Sequence, residues 1–298
     1  MALFPGFKRR RVRTSGATIN LVTKGDGPPV LLLHGYPETH AMWHKIAPDL
    51  ARDCSVVCAD LRGYGDSSKP KGLPDHSNYS KRAMAKDMAE VMSALGHRQF
   101  HLVGHDRGAR VAHRLARDHG SRVKSLTVLD IVPTLKMYDS VSKAFATAYY
   151  HWFFLIQRPP IPEQLLAGQV PGYILGRLGR LGRGKGGLKH FAPAARKAYD
   201  RAFRDPRCIH ATCEDYRASA GIDLEHDRKD LKKKLRMPLL ILWGKRGVIE
   251  RYFDPLRVWR EVARDVRGKA LDCGHFLPEE KPEEVLSELR RFLGTAKP

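Results

Sequence analysis

No apolar run in this chain approaches the roughly 18 residues that a membrane-crossing helix needs, which excludes a helical membrane protein. The opening stretch, MALFPGFKRRRVRTSG, lacks the apolar core of a secretory signal, since nothing apolar follows its basic residues. Cysteine is scarce: five residues, odd in number, scattered, and without the paired spacing of a zinc knuckle. Neither a disulfide framework nor a metal centre is expected, and Cys54 and Cys58 read as small apolar side chains in or beside a strand. Reduced thiols, a cytoplasmic location, no metal and no cofactor are the expectation. Acids are also few, 32 against 53 lysines and arginines, for a formal net charge of +21. The densest basic run, GRLGRLGRGKGGLKH (176–190), has no aromatic on which a base could stack, and basic residues elsewhere are mixed with acids, as in DRKDLKKKLR (227–236). The charge therefore reads as a solvated surface that attracts small anions; neither a specific nucleic-acid partner nor a membrane is expected.

What is present is an alternation of apolar, β-branched runs with amphipathic stretches, the pattern of a mostly parallel sheet wrapped by helices. Strands are expected at 18–25, 30–35, 55–60, 100–104, 125–130, 238–244 and 268–273. A helix over 80–96 carries Met84, Met88, Val91 and Met92 on one stripe, and another over 281–294 opens with Pro282 and closes at Gly294. Strand rhythm stops after residue 134 and resumes at 237. The expected organisation is a core from 1–134 and 237–298, interrupted by a helical cap at 135–236 whose basic glycine-rich segment lies on the surface. No repeat is visible.

The most informative absence is a serine. Gly104-His105-Asp106-Arg107-Gly108 follows the apolar run FHLVG and precedes the helical pattern ARVAHRLARDH, the strand, sharp turn and helix of a nucleophile elbow. Serine there would need a base to remove its proton. Aspartate is already anionic and can attack an sp³ carbon directly, leaving an aspartyl ester that a histidine-activated water then hydrolyses. Arg107 and Arg110, three apart on one helix, can share a face and clamp a carboxylate. A clamp on Asp106 itself would mask the nucleophile, so a substrate carrying its own carboxylate is favoured. The plainer alternative is a pair of surface arginines on an exposed helix.

His275 in LDCGHFLPEE follows the last strand and fits the base. Two acids could orient it: Asp130, ending SLTVLD, and Glu250, beyond WGKRGVIE; Asp130 is preferred because it sits immediately at a strand's carboxyl end. The backbone N–H groups of Tyr36, in HGYP (34–37), and of Arg107 are the candidate oxyanion hole.

With these pieces in place the chain resembles the α/β-hydrolase superfamily and, within it, the haloacetate (fluoroacetate) dehalogenases. The likeness runs through HGYPETHAMW, VVCADLRGYGDSSKP, NYSKRAMAKDM, LVGHDRGARVAHR, LDIVPT, AYYHWFF, DYRA…IDLEHD and GHFLPEE. It implies an eight-stranded, mostly parallel sheet with an inserted helical cap. It also implies Asp106 as nucleophile, His275 as base, Asp130 as acid, and Arg107 and Arg110 on the substrate carboxylate. A halide-binding trio of His151, Trp152 and Tyr216 and a homodimer are implied on the same ground. Imidazole N–H, indole N–H and phenol O–H are neutral donors suited to a departing halide, fluoride most of all. Two rival readings stand beside it. An epoxide hydrolase would share Asp106 and His275 and use Tyr149 or Tyr150 with Tyr216, but an epoxide gives the arginines no anion. A non-catalytic scaffold would bind an anion or nucleic acid, and the full Asp/His/Asp set argues against it.

Overall fold

The computed structural model describes residues 3–181 and 187–294. Its sheet contains β1 (Lys8–Arg13), β2 (Thr18–Lys24), β3 (Pro29–Leu33), β4 (Ser55–Ala59), β5 (Phe100–His105), β6 (Val123–Leu129), β7 (Leu239–Gly244) and β8 (Val266–Leu271). The order across the sheet is β1-β2-β4-β3-β5-β6-β7-β8. The first two junctions are antiparallel, and every junction from β4 to β8 is parallel. β3 and β7 are near-continuous apolar runs buried on both faces, as central parallel strands must be.

β1 is absent from the strands expected of the sequence, where KRRRVR showed only as basic residues of the opening stretch. It is an edge strand with five of its six residues exposed, where charge discourages further pairing. Arg9 and Arg11 reach Asp66, through its carboxylate at 2.5 Å and its carbonyl at 2.9 Å.

The first part of the chain also holds α1 (Ala47–Leu50), α2 (Lys81–Ala94) and α3 (Asp106–Asp118). Ser80 caps α2 by accepting the Ala83 N–H, and Met84, Met88, Val91 and Met92 are buried as the stripe requires. Between β6 and β7 the described residues form only helices: α4 (Thr134–Asp139), α5 (Lys143–Ala148), α6 (Tyr150–Leu155), α7 (Ile161–Leu166), α8 (Val170–Leu181), α9 (Pro193–Phe203), α10 (Pro206–Ala220) and α11 (Ile222–Asp230). The chain then returns to the sheet through β7, α12 (Val248–Tyr252), α13 (Pro255–Val262), β8, α14 (Leu277–Glu280) and α15 (Pro282–Leu293), with Gly294 left-handed at the stop.

The basic glycine-rich stretch differs from the surface segment expected of it. Its start belongs to α8, with Arg177 and Leu178 buried, while residues 182–186 lie outside the described residues. All five cysteines are buried, and none is in a disulfide among the described residues. Among the described residues there is no metal-ligating cluster and no helix long and apolar enough to cross a membrane. Because the central strands are parallel, the turns after β3, β5, β6, β7 and β8 converge on one edge of the sheet, which is where ligands bind in open α/β folds.

Candidate active site

Asp106 sits at the first position of α3 with φ of +45°, a left-handed conformation rare outside glycine and characteristic of a strained elbow. The strain is held by close packing. A side chain on Gly108 would put its Cβ 2.4 Å from the His34 carbonyl, and one on Gly35 would come within 2.7 Å of the Asp106 Cβ. That contact brings the Tyr36 N–H to 3.0 Å from Oδ1 of Asp106. Arg107 occupies the second helical position, where a backbone N–H has no partner within the helix.

The turn after β8 places His275 beside the elbow. Its Nδ1 donates to Oδ2 of Asp130 at 2.5 Å, and its Nε2 lies 3.9 Å from Oδ2 of Asp106. Asp130, also left-handed at φ +53°, accepts the Gly244 N–H at 2.9 Å on its other oxygen. Glu250, the alternative acid, is exposed and accepts from the Trp243 indole. Burial pushes the Asp106 carboxyl up, but His275, His105, Arg107 and Arg110 together carry it below its ordinary value. It is therefore anionic at neutral pH.

Sequence reasoning missed His105, the elbow residue before Asp106. Its Nε2 donates to the His275 carbonyl at 2.8 Å, and its Nδ1 is 3.1 Å from a buried Glu38 carboxylate oxygen. An acceptor at each ring nitrogen calls for a proton on both. Burial disfavours that charge, yet Glu38, Asp106 and the His275 carbonyl more than reverse it, raising His105 to about 8.

Both arginines are buried, contrary to the exposed-helix alternative, and neither is hydrogen-bonded to Asp106 among the described residues. Arg107 spends its Nε–Nη2 edge on Asp215, at 2.9 and 2.8 Å, and donates to Ser219 Oγ at 2.6 Å, over the Tyr216 ring at 4.0 Å. Asp215 also takes Lys81 and the Tyr64 hydroxyl; burial raises its pKa, and Arg107 and Lys81 pull it well below the usual range. Among the described residues, only Nη1 of Arg107 is left without a partner. Arg110 uses Nη1 on the Val132 carbonyl (3.1 Å) and Thr134 (3.0 Å), with its guanidinium 4.6 Å from the Trp152 ring. Among the described residues its Nε has no partner, and Nη2 meets only the Met137 thioether, a weak acceptor.

His151, Trp152 and Tyr216, from α6 and α10, are buried together, with ring centroids 5.8 Å apart for His151–Tyr216 and 6.1 Å for Trp152–Tyr216. The Trp152 Nε1 and Tyr216 hydroxyl have no hydrogen-bond partner among the described residues. Of the two tyrosines weighed for epoxide chemistry, Tyr149 is buried against His151 and Tyr150 is exposed. A cavity of about 510 Å³ opens beside His275 and Asp130, with Lys143, Arg246 and Arg251 among its walls. Asp106 and both arginines are not on its wall and are at most 4% exposed.

Asp215, Ser219, Lys81, Glu38 and Arg177 were not singled out in the sequence. Asp215 lay next to Tyr216, and the arginine it neutralises was the available signal.

Compared with protein families, residues 28–282 match the α/β hydrolase fold. The chain is 45% identical over 295 residues to fluoroacetate dehalogenase of Burkholderia sp, covering 99% of this chain and 96% of that protein. It is 34% identical over 283 residues to soluble epoxide hydrolase of Corynebacterium sp. (strain C12), covering 93% and 94%. A solved α/β hydrolase from Nostoc sp PCC 7120 superposes with a TM-score of 0.95 at 56% identity, covering 98% of this chain and 99% of that one. With the elbow, the His275–Asp130 pair and the sheet order already in place, these likenesses are decisive: the chain belongs to the α/β-hydrolase family and is dehalogenase-like within it.

Proposed function

We propose that this enzyme hydrolyses the carbon–halogen bond of short haloacids such as fluoroacetate and chloroacetate, giving the hydroxyacid and halide. The substrate carboxylate meets the unpaired N–H groups of Arg110 and Nη1 of Arg107, which hold the α-carbon in line with Asp106. An Asp106 oxygen attacks that carbon, the C–O bond forms as the C–X bond breaks, and the electron pair leaves with the halide among His151, Trp152 and Tyr216. Nε2 of His275 then takes a proton from water, whose oxygen attacks the Asp106 ester carbonyl. The Tyr36 and Arg107 amides carry the oxyanion, and the ester C–O bond breaks as the His275 imidazolium returns its proton to the leaving oxygen, which frees the hydroxyacid and regenerates Asp106. Asp130 keeps the His275 proton on Nδ1 and stabilises the imidazolium.

One observation carries the reading. An anionic elbow aspartate lies beside two buried guanidiniums that are bonded elsewhere, each keeping an N–H without a partner among the described residues. Identity to a fluoroacetate dehalogenase supports it. The similarity to an epoxide hydrolase, and the buried Tyr149 and Tyr216, support the rival chemistry on the same aspartate. Five buried cysteines with no disulfide among the described residues fit a cytoplasmic setting.

The test is a panel of fluoroacetate, chloroacetate, 2-chloropropionate and styrene oxide, read as halide and diol release. Halide from the acids without diol supports the reading, and diol alone overturns it. His275→Asn should stall after alkylation, so intact-mass and peptide mass spectrometry should find the adduct on the peptide containing Asp106. An unmodified peptide after prolonged exposure would falsify the ester route.

A further inference from the structure

A large share of the chain's positive excess gathers at one edge of the sheet. Because β5 to β8 are parallel, their starts lie together, at the edge opposite Asp106, Asp130 and His275. Arg98 precedes β5, Arg122 and Lys124 flank the first residue of β6, Arg236 precedes β7 and Arg264 precedes β8. Two open depressions of about 800 and 850 Å³ lie there, and Ser121 lines both. Eight lysines and arginines against two aspartates line the first. Two arginines and a lysine, with no acid among the described residues, line the second.

The sequence mixes acids with bases in DRKDLKKKLR (227–236), but folding separates them. Asp227 and Asp230 turn to the buried Arg114 of α3, at 3.8 and 2.5 Å. Asp118 pairs with Arg82 and Arg114, and Asp230 also takes Lys233. Arg117, Lys232, Lys234, Arg236 and Arg264 line the same depression with no ion pair among the described residues. Lys232, Lys234 and Arg236 are exposed. Arg117 is half-buried and donates to the Asp230 and Lys233 carbonyls at 3.0 and 2.9 Å, so it meets dipoles in place of a charge. Like charges crowded in this way repel one another, and a polyanion relieves the repulsion.

The lining also selects among anions. A carboxylate or halide balances one cation, whereas five uncompensated ones call for a chain of charges. The second depression extends the path, with Arg98 and Lys124 exposed along it. No Phe, Tyr or Trp lines either depression among the described residues, so a nucleobase finds no ring on which to stack. A phosphate chain without bases meets all these conditions. We infer that this edge is a binding site for linear inorganic polyphosphate, laid along both depressions across Ser121. The site is separate from the reaction centre and stands independently of the haloacid reading.

The test is calorimetric binding of short-chain inorganic polyphosphate to the whole protein over a range of salt concentrations. The expected Kd at 0.15 M salt is tighter than about 100 μM, the weak end of phosphate-backbone binding. Log Kd should rise with log salt at a slope of about 3 to 4, the value for five phosphate contacts on a flexible strand. Lys232→Glu with Lys234→Glu and Arg236→Glu should weaken binding at least about 100-fold and lower the slope by about 2. Lys8→Glu with Arg10→Glu and Arg13→Glu, on exposed β1 at the other end of the strand order, changes net charge equally. That control should weaken binding less than about fivefold. Equal losses in the two variants overturn the proposal, because net charge rather than this edge then holds the chain. A Kd weaker than about 100 μM overturns it too. Tighter binding of single-stranded DNA of equal charge assigns the edge to nucleic acid instead and overturns it, as does displacement by orthophosphate at equal phosphate concentration. Thermal unfolding verifies that the variants fold. If the glutamate set does not, Lys232→Gln with Arg236→Gln replaces it, with an expected loss of at least about fivefold, and an unchanged Kd there overturns the proposal.

Discussion

Arg110 carries its charge without a carboxylate bonded to it among the described residues, and burial pushes its pKa down despite the pull of nearby Asp106. An arginine stays protonated even so, and the cost is tolerable if an incoming anion offsets it. Its planar fork is held by Val132 and Thr134 on one side and stacked on Trp152, leaving Nε–H free to pair. Arg110→Lys replaces the fork with a point charge that cannot keep those contacts and meet a carboxylate as well. KM for haloacetates should rise by about 10- to 100-fold, the worth of one charged hydrogen bond, with a smaller effect on kcat. Steady-state kinetics check it, and an unchanged KM places the carboxylate site elsewhere. At this scale the sequence was informative where a motif fixes neighbours along the chain: the elbow gives Asp106 and both arginines, and GH after a strand gives His275. It was silent on partners brought in from afar. Asp215 meets Arg107 from 108 positions away, and nothing local announces that meeting.

Among elements, β5 leads directly into Asp106 and the turn after β8 carries His275, and His105 ties the two together through Glu38 and the His275 carbonyl. That tie is charged. His105 is raised from 6.5 to about 8, so its contribution is fully present below pH 6.5 and is lost as pH rises through 8. A difference of this size corresponds to about 2 kcal/mol. Glu38→Gln removes the carboxylate that raises it, so wild type should exceed the variant most near pH 6, and the gap should narrow by that amount towards pH 9. Urea unfolding at the two pH values measures it; a gap that widens with pH would mean that His105 is neutral in the fold. Elements were legible to different degrees for a physical reason. Central strands and amphipathic helices write their burial into apolar periodicity, as Met84, Met88, Val91 and Met92 do in α2. β1 has one partly buried residue, Val12, and so offers no such period; it exists because β2 supplies a ladder for it to pair with. The basic start of α8 misled for the converse reason, since Arg177 looks like surface and is buried by the cap around it.

For the molecule as a whole, 53 basic residues against 32 acids surround an elbow aspartate that solvent scarcely reaches. The two facts act on different steps. Surface charge works through water and is screened over about 10 Å at 0.1 M salt, whereas buried pairs are screened far less. Haloacid anions should therefore be concentrated near the protein by its field, and the cavity beside His275, with Lys143, Arg246 and Arg251 in its walls, is where that field is most useful. The bond-breaking steps, enclosed by Arg107, Arg110 and Asp215, should be indifferent to ionic strength. Raising salt from about 0.01 to 0.3 M should increase KM for fluoroacetate several-fold and leave kcat unchanged. Sodium sulfate is the salt to use, so that no halide competes for the donors at Trp152 and Tyr216. Lys143→Glu with Arg251→Glu changes exposed residues only, and it should raise KM at low salt and flatten the dependence. If salt lowers kcat at constant KM instead, ions are reaching the buried groups, and the separation of an outer collecting field from an enclosed reaction centre is wrong.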